Sequence, residues 1–206
     1  MDNKFITFEG IEGAGKTTAI DIISSFLQEN GLDCLVTREP GGTSAGEKIR
    51  DILLDNESKL DNETELLLLF AARYQHINEI IVPALKDNKW VICDRYIDAS
   101  LAYQGYGRGV EIKTIDNLID TYACKAIPDI TFLLDIDVDT AFLRFEKNRE
   151  KDRFENLNKD FFEKVRLGYI DIAKKNPERI KIINANQDAE SVANEITREI
   201  KKIFNF

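Results

Sequence analysis

Cysteine is scarce in this sequence. Cys34, Cys93 and Cys124 are odd in number, lie far apart and form no Cys-x-x-Cys. That excludes a disulfide framework and a cysteine zinc cluster, and suits free thiols in a reducing compartment. Positive charge is also in deficit: 28 Lys and Arg stand against 37 Asp and Glu, a formal net charge of −9. Nucleic-acid affinity rests on clustered cations that neutralise phosphates, so a general DNA or RNA binder is excluded as a class. No apolar run approaches the ~20 residues of a membrane span. Met1-Asp2-Asn3-Lys4 leads into a strand-like alternation with no charged-then-apolar signal segment before it. Repeats and low-complexity tracts are missing too. The expectation is a cytoplasmic protein, off the membrane, whose basic residues work locally. At 206 residues and 43% hydrophobic content, one domain over 1–206 with a sizeable core is enough.

What is present is organised around one stretch. Phe5-Ile6-Thr7-Phe8-Glu9 alternates as a strand and runs into Gly10-Ile11-Glu12-Gly13-Ala14-Gly15-Lys16-Thr17-Thr18, the Gly-x-x-x-x-Gly-Lys-Thr spacing of a phosphate-binding loop before a helix. The glycines let successive N–H groups point inward around an oxyanion, and the helix beginning near Lys16 adds its positive dipole end. Lys16 is placed to reach the β- and γ-phosphates of a nucleoside triphosphate, and the Thr17 hydroxyl to sit on Mg²⁺.

Down the chain, helical and strand periods alternate. Ala19, Ile22, Ile23, Phe26 and Leu27 recur at helical spacing up to Asn30-Gly31, a helix stop. Cys34–Thr37 reads as a short buried strand, followed at its C-terminal end by Arg38-Glu39-Pro40-Gly41-Gly42-Thr43, a candidate site loop. Ile49, Ile52 and Leu53 mark a helix. A longer one is expected from Glu63 to Leu85, with Pro83 kinking its last turn. Trp90–Cys93 is a strand ending at Asp94, where a magnesium-side carboxylate belongs. A helix over 112–123, a buried strand over 130–135, a packed helix around Val165–Ala173, a strand at 180–183 and an amphipathic helix through Val192, Ile196, Ile200 and Ile203 complete the pattern. Between Phe142 and Phe162, Arg144, Lys147, Arg149, Lys151 and Arg153 interleave with Glu146, Glu150, Asp152 and Glu155. In a protein that must cover a reactive phosphate, that segment is expected to be a lid, at about 142–157. Five strands alternating with helices imply one parallel sheet covered on both faces, with right-handed crossovers.

Four motifs stand in order: the phosphate loop, Thr37-Arg38-Glu39-Pro40-Gly41-Gly42-Thr43, Asp94-Arg95-Tyr96-Ile97-Asp98-Ala99-Ser100-Leu101-Ala102-Tyr103-Gln104-Gly105, and Asp152-Arg153-Phe154-Glu155. Together they resemble thymidylate kinases over essentially the whole chain. The resemblance implies a P-loop NTPase fold of the nucleoside-monophosphate-kinase kind, with the phosphate-loop strand near the sheet centre. It implies transfer of the ATP γ-phosphoryl group to dTMP, giving dTDP and ADP on the way to dTTP for DNA synthesis, in a homodimer formed through helix faces. Carried over by position, Asp94 organises Mg²⁺ through its water shell, and Arg38 and Arg95 hold the acceptor phosphate. Arg73, Ser100 and Gln104 read the thymine edge, while Tyr103 packs under the deoxyribose. Glu12 lies near the sugar 3′-hydroxyl and the metal. Arg50 is a further acceptor-site candidate, balanced against a role as a surface ion-pair partner.

The chemistry agrees. The attacking phosphate has a second pKa near 6, so at neutral pH it is largely anionic and needs no general base. His76 is therefore not needed for catalysis and is expected as a partly exposed helix residue. Two polyanions must instead be neutralised and brought into line, which calls for Mg²⁺, lysine and arginines from several loops. Two positions depart from the family pattern. Some members carry an arginine in the phosphate loop where this chain has Gly13, so the γ-phosphate arginine is expected from the lid, Arg153 first and Arg149 second. Leu69 stands where a base-stacking Phe is usual, four residues before Arg73, and Phe70 is three before it. Leu69 is favoured as the cleft residue and Phe70 as a packing residue.

Other readings remain open. A kinase of another nucleoside monophosphate would share this scaffold. So would a deoxynucleoside kinase, which would want a carboxylate base, Glu9 or Glu12, for its hydroxyl acceptor. A nucleotide-dependent switch would want Asn-Lys-x-Asp, and Asn158-Lys159-Asp160 is one residue short of it.

Overall fold

The two-residue side-chain period of a strand places Ile6 and Phe8 of Phe5–Glu9 (β1) on one face of a sheet and Phe5 and Thr7 on the other, all of them buried. The computed structural model describes residues 4–145, 153 and 158–204. The five strands among these residues are all parallel, in the order β2-β3-β1-β4-β5. The others are Cys34–Arg38 (β2), Trp90–Asp94 (β3), Ile130–Asp135 (β4) and Ile180–Asn184 (β5). β1 is central. Its partners β3 and β4 are buried nearly throughout, as the near-continuous apolar runs of an internal parallel strand require.

The helices are Lys16–Glu29 (α1), Ser44–Leu54 (α2), Asn62–His76 (α3), Val82–Lys86 (α4), Ile97–Ser100 (α5), Ile112–Tyr122 (α6), Val138–Phe145 (α7), Lys159–Lys175 (α8) and Ala189–Phe204 (α9). Ile23 and Leu27 of α1, Phe162 and Val165 of α8 and Ile196 and Ile200 of α9 join Ile6, Phe8 and Phe132 in the larger core. On the opposite face Phe5, Val91 and Cys93 meet Ile77, Ile81, Tyr96 and Ile97. Asp61 and Thr43 cap α3 and α2 through their side-chain oxygens.

Two expectations need correction. β2 is only half-buried, with Val36 47% exposed, because it forms the sheet edge. The long helix ending at Leu85 is continuous, but a wide π turn over Ile77–Ile81 joins α3 to α4, and Pro83 lies in the first turn after it. A second π turn, Leu101–Gly107, extends α5; it carries Tyr103 and Gln104. The near-match to a switch motif is structural: Asn158 caps α8 by accepting the Phe161 N–H at 3.0 Å. Arg149 and most of the expected lid lie outside the described residues.

Candidate functional site

Strand register brings the chemistry to one edge. Phe8 is level with Asp94 and with Phe132, and Arg38 is level with Asp94. Glu9, Arg38, Asp94 and Asp135 therefore end their strands together, at the carboxyl edge where open α/β sheets take ligands.

The phosphate loop leaves β1 at Gly10 and enters α1 at Lys16. Gly13 has φ +77°, and a Cβ there would lie 2.5 Å from the Ala141 carbonyl oxygen. Glycine is thus required by both conformation and space. Lys16 Nζ donates to the Gly10 and Ile11 carbonyls at 3.1 and 3.2 Å. Burial, reinforced by the Arg95 charge, lowers its pKa below the ordinary lysine value. A cavity opens over this loop, lined by Gly13 to Thr18 on one side and by Arg144, Gln187 and Asp188 on the other.

A second cavity adjoins the first. Its walls include Arg38, Arg50, Leu69, Arg73, Arg95, Ser100, Tyr103 and Gln104. Among the described residues, only Glu12, Lys16 and Asp94 border both.

Arg73 is held on three sides: Nε donates to Glu39 Oε2 at 2.7 Å, Nη1 to Ser100 Oγ at 2.9 Å and Nη2 to the Tyr96 carbonyl at 2.9 Å. The Phe70 ring lies 4.7 Å from its guanidinium carbon. Phe70 is in the satellite core with Leu66, Val110 and Ile115, whereas Leu69 lines the cavity. Gln104 Nε2 donates to Glu65 Oε1 at 2.8 Å.

Arg95 is the junction. It follows β3 with φ +66° and donates to Glu12, Tyr103 and Tyr169 at 2.7, 3.1 and 3.2 Å. The Tyr103 hydroxyl donates to Glu12 at 2.6 Å. Burial alone would raise the Glu12 carboxyl, but Arg95 and Lys16 outweigh it and hold its pKa below the usual value. Beneath, Glu9 is fully buried and accepts from the Tyr96 N–H and the Tyr169 hydroxyl, each at 2.7 Å. Burial, with Asp98 nearby, pushes its pKa up to about 7. Sealed in this way and bordering neither cavity, Glu9 is poorly placed as a base for a hydroxyl acceptor.

His76 is corrected: it is 0% exposed. Its Nδ1 donates to Glu39 at 2.9 Å, because a carboxylate only accepts, and its Nε2 lies 2.7 Å from the Thr37 hydroxyl. The glycines after Pro40 let the site loop close on the ring; a Cβ on Gly42 would sit 2.6 Å from Nε2. Arg38 is half in solvent and pairs with Glu47 at 2.9 Å. Arg50 donates to the Pro40 carbonyl at 2.8 Å. Arg153 donates to Leu53 O at 2.8 Å and to Glu65 at 2.6 Å; it lines neither cavity.

Sequence reasoning missed Glu39 and Glu65, buried carboxylates that hold the site arginines. It also missed Arg144, which donates to the Ala185 and Gln187 carbonyls at 3.0 and 3.3 Å. Arg144 had been absorbed into the charged stretch. The signal for Glu65 is an acid directly before the run Leu66 to Leu69 on a helix.

No group of three His, Cys, Asp or Glu side chains able to hold a metal occurs among the described residues. Mg²⁺ does not require one, since it keeps waters and takes one or two protein oxygens plus phosphate oxygens. Asp94 supplies a buried Oδ1 with no hydrogen-bond partner among the described residues, beside Thr17 at the same cavity. The donor set fits that ion.

A phosphate loop on a central parallel strand, joined at three residues to an arginine-rich second cavity, defines a P-loop phosphotransferase of the nucleoside-monophosphate-kinase kind. A sequence model of the thymidylate kinase family matches residues 8–196. The chain is 46% identical over 204 residues to the thymidylate kinase of Nitrosospira multiformis, covering 99% of this chain and 100% of that one. With that of Vesicomyosocius okutanii it shares 49% over 201 residues, 97% and 96% of the two chains. The crystal structure of thymidylate kinase from Ehrlichia chaffeensis superposes with a TM-score of 0.80 at 38% identity, covering 98% of this chain and 99% of that one. This chain belongs to the thymidylate kinase family.

Proposed function

We propose that the two adjoining cavities hold the two substrates of one transfer, ATP over the phosphate loop and dTMP among the arginines. The chain is a kinase that moves the γ-phosphoryl group of ATP to dTMP, giving dTDP and ADP. The observation that carries the assignment of cavities is their shared border: Lys16, Glu12 and Asp94 stand where donor and acceptor phosphates must meet.

Lys16 reaches the β- and γ-phosphates once ATP replaces its contacts to Gly10 and Ile11, and the phosphate-loop N–H groups cradle the anion. Arg95, with Arg38 and Arg50 further out, neutralises the acceptor phosphate. Arg73, Ser100 and Gln104 face the base, Leu69 supplies an aliphatic platform and Tyr103 the floor beneath the sugar. Thr17 and Asp94 would hold Mg²⁺, which would supply electrostatic neutralisation of the phosphate charge during transfer. Arg153 is the γ-phosphate arginine of a closed lid and leaves Glu65 on closure; Arg149 is the alternative. Leu67 and Tyr74 share one face of α3 and are exposed, with Tyr122 of α6 edge-on to Tyr74 at 5.8 Å. That face supports a homodimer. No helix among the described residues is long and apolar enough to cross a membrane.

The test is product formation from ATP-Mg with dTMP, dUMP, ribothymidine monophosphate, dCMP, dGMP and AMP compared side by side, with Lys16→Ala as control. dTMP should be the preferred acceptor, and the control should lose about 10²-fold or more in kcat. Preference for another acceptor, or a control retaining a tenth of wild-type kcat, contradicts the assignment.

A further inference from the structure

Glu65 enters the acceptor site without bordering it. It lies in the first turn of α3, is 1% exposed, and gathers donors from three separate segments. Gln104 donates to Oε1 at 2.8 Å, Arg108 to Oε2 at 3.2 Å and Arg153 to Oε2 at 2.6 Å. A buried charge needs such company, because an unpaired one would be costly.

The consequence falls on Gln104. A primary amide has one donor end and one acceptor end, and a free side chain can flip to offer either. A carboxylate only accepts, so the Gln104 amide must turn its NH₂ toward Glu65. Its carbonyl oxygen then takes the opposite direction, while the residue itself lines the acceptor cavity. Gln104 therefore meets a bound base as an acceptor.

We infer that Glu65 is a specificity-determining positioning residue: by fixing the orientation of the Gln104 amide, it makes the cavity accept pyrimidines with a ring N3–H and reject those whose N3 is a lone pair. Thymine and uracil carry that hydrogen; cytosine does not, and its N3 would face the Gln104 oxygen. This rests on the reading of the cavity as the dTMP site. Arg73 adds a second, independent preference for an oxygen on the base, so the Glu65 contribution is one part of the discrimination.

The experiment compares kcat/KM for dTMP and dCMP in wild type, Glu65→Gln, Gln104→Leu and the double variant, with folding checked by circular dichroism. Glu65→Gln is isosteric, can donate as well as accept, and so frees the Gln104 amide to flip. The dTMP/dCMP ratio should fall by about tenfold or more, the scale expected when a buried hydrogen-bonding group loses its set direction. In the Gln104→Leu background the same substitution should leave the ratio unchanged, since Glu65 acts on the base only through that amide. A folded Glu65→Gln with the wild-type ratio overturns the inference. So does an equal fall in the Gln104→Leu background, which a merely structural role would produce. Should Glu65→Gln not fold, Glu65→Asp is read instead: it remains acceptor-only, so its ratio should exceed that of Gln104→Leu, and an equal ratio overturns the inference. Wild-type protein that fails to phosphorylate dTMP would overturn the functional reading itself, a separate and distinguishable result.

Discussion

The Arg95 guanidinium and the Glu12 carboxylate are 2.7 Å apart, one at the end of β3 and the other inside the phosphate loop. The cation that lines the arginine-rich cavity and the carboxylate of the phosphate loop neutralise one another. Under the proposed function a phosphate at Arg95 would share it with Glu12, and a fork of five N–H groups permits sharing where a point charge does not. Arg95 already serves Glu12 and Tyr103 from Nη2 and Tyr169 from Nη1.

Arg95→Ala should therefore lower kcat/KM for dTMP by ~10² or more, and Arg95→Lys should recover little of it. Steady-state kinetics with ATP-Mg checks both. A lysine variant within about threefold of wild type would show that charge alone suffices there and that the fork is not used.

Gly13 holds the phosphate loop close against Ala141. A side chain at φ +77° is strained, and the Ala141 carbonyl stands where its Cβ would go. Gly13→Ala should cost about 1–3 kcal/mol of stability and weaken ATP binding, because the loop must shift to clear Ala141. Chemical denaturation and nucleotide titration measure the two effects. A variant as stable and as tight as wild type would mean that the loop relaxes freely.

Much of this was readable beforehand, for physical reasons. The strands, the loop and the carboxyl-edge placement of Asp94 rest on local periods and turn chemistry, which sequence displays directly. The buried polar wiring does not. His76 meets Glu39 across 37 residues, and Glu65 meets Gln104 across 39. A polar residue on a helix looks solvated until its partner from another loop is known, which is why His76 was misplaced and Glu65 passed over. The two π turns were invisible for a related reason: one extra residue per turn leaves helical periodicity nearly unchanged over such short spans.

Glu9 makes stability depend on pH, with a definite sign. Its carboxyl is raised from 4.5 to about 7 in the folded protein by burial and by Asp98. Between those values the folded state holds a proton that the unfolded chain has released, so stability falls as pH rises from about 4.5 to 7 and then levels off. Glu9→Gln removes this loss while keeping an acceptor for the Tyr96 N–H. Relative to wild type, its Tm should improve at pH 8 more than at pH 5. Parallel Tm profiles for the two proteins across that range would show that Glu9 does not titrate there.

The last prediction concerns adjacent residues with opposite duties. Leu69 borders the acceptor cavity, while Phe70 faces the satellite core and lays its ring against the Arg73 guanidinium. Consecutive positions on a helix differ by about 100° in direction, so the two cannot exchange roles without rotating α3. Phe70→Ala should then cost about 3–5 kcal/mol of stability, as core aromatic truncations do. Its effect on dTMP should stay under about tenfold, because Glu39, Ser100 and Tyr96 still hold Arg73. Leu69→Ala should show the converse pattern: a smaller stability loss, with dTMP binding weakened by roughly 1–2 kcal/mol from the apolar contact removed. Calorimetric titration of dTMP, at a temperature where both variants are folded, separates them. If Phe70→Ala weakens binding more than Leu69→Ala does, the aromatic ring reaches the base through Arg73, and Leu69 serves only to close the cavity wall.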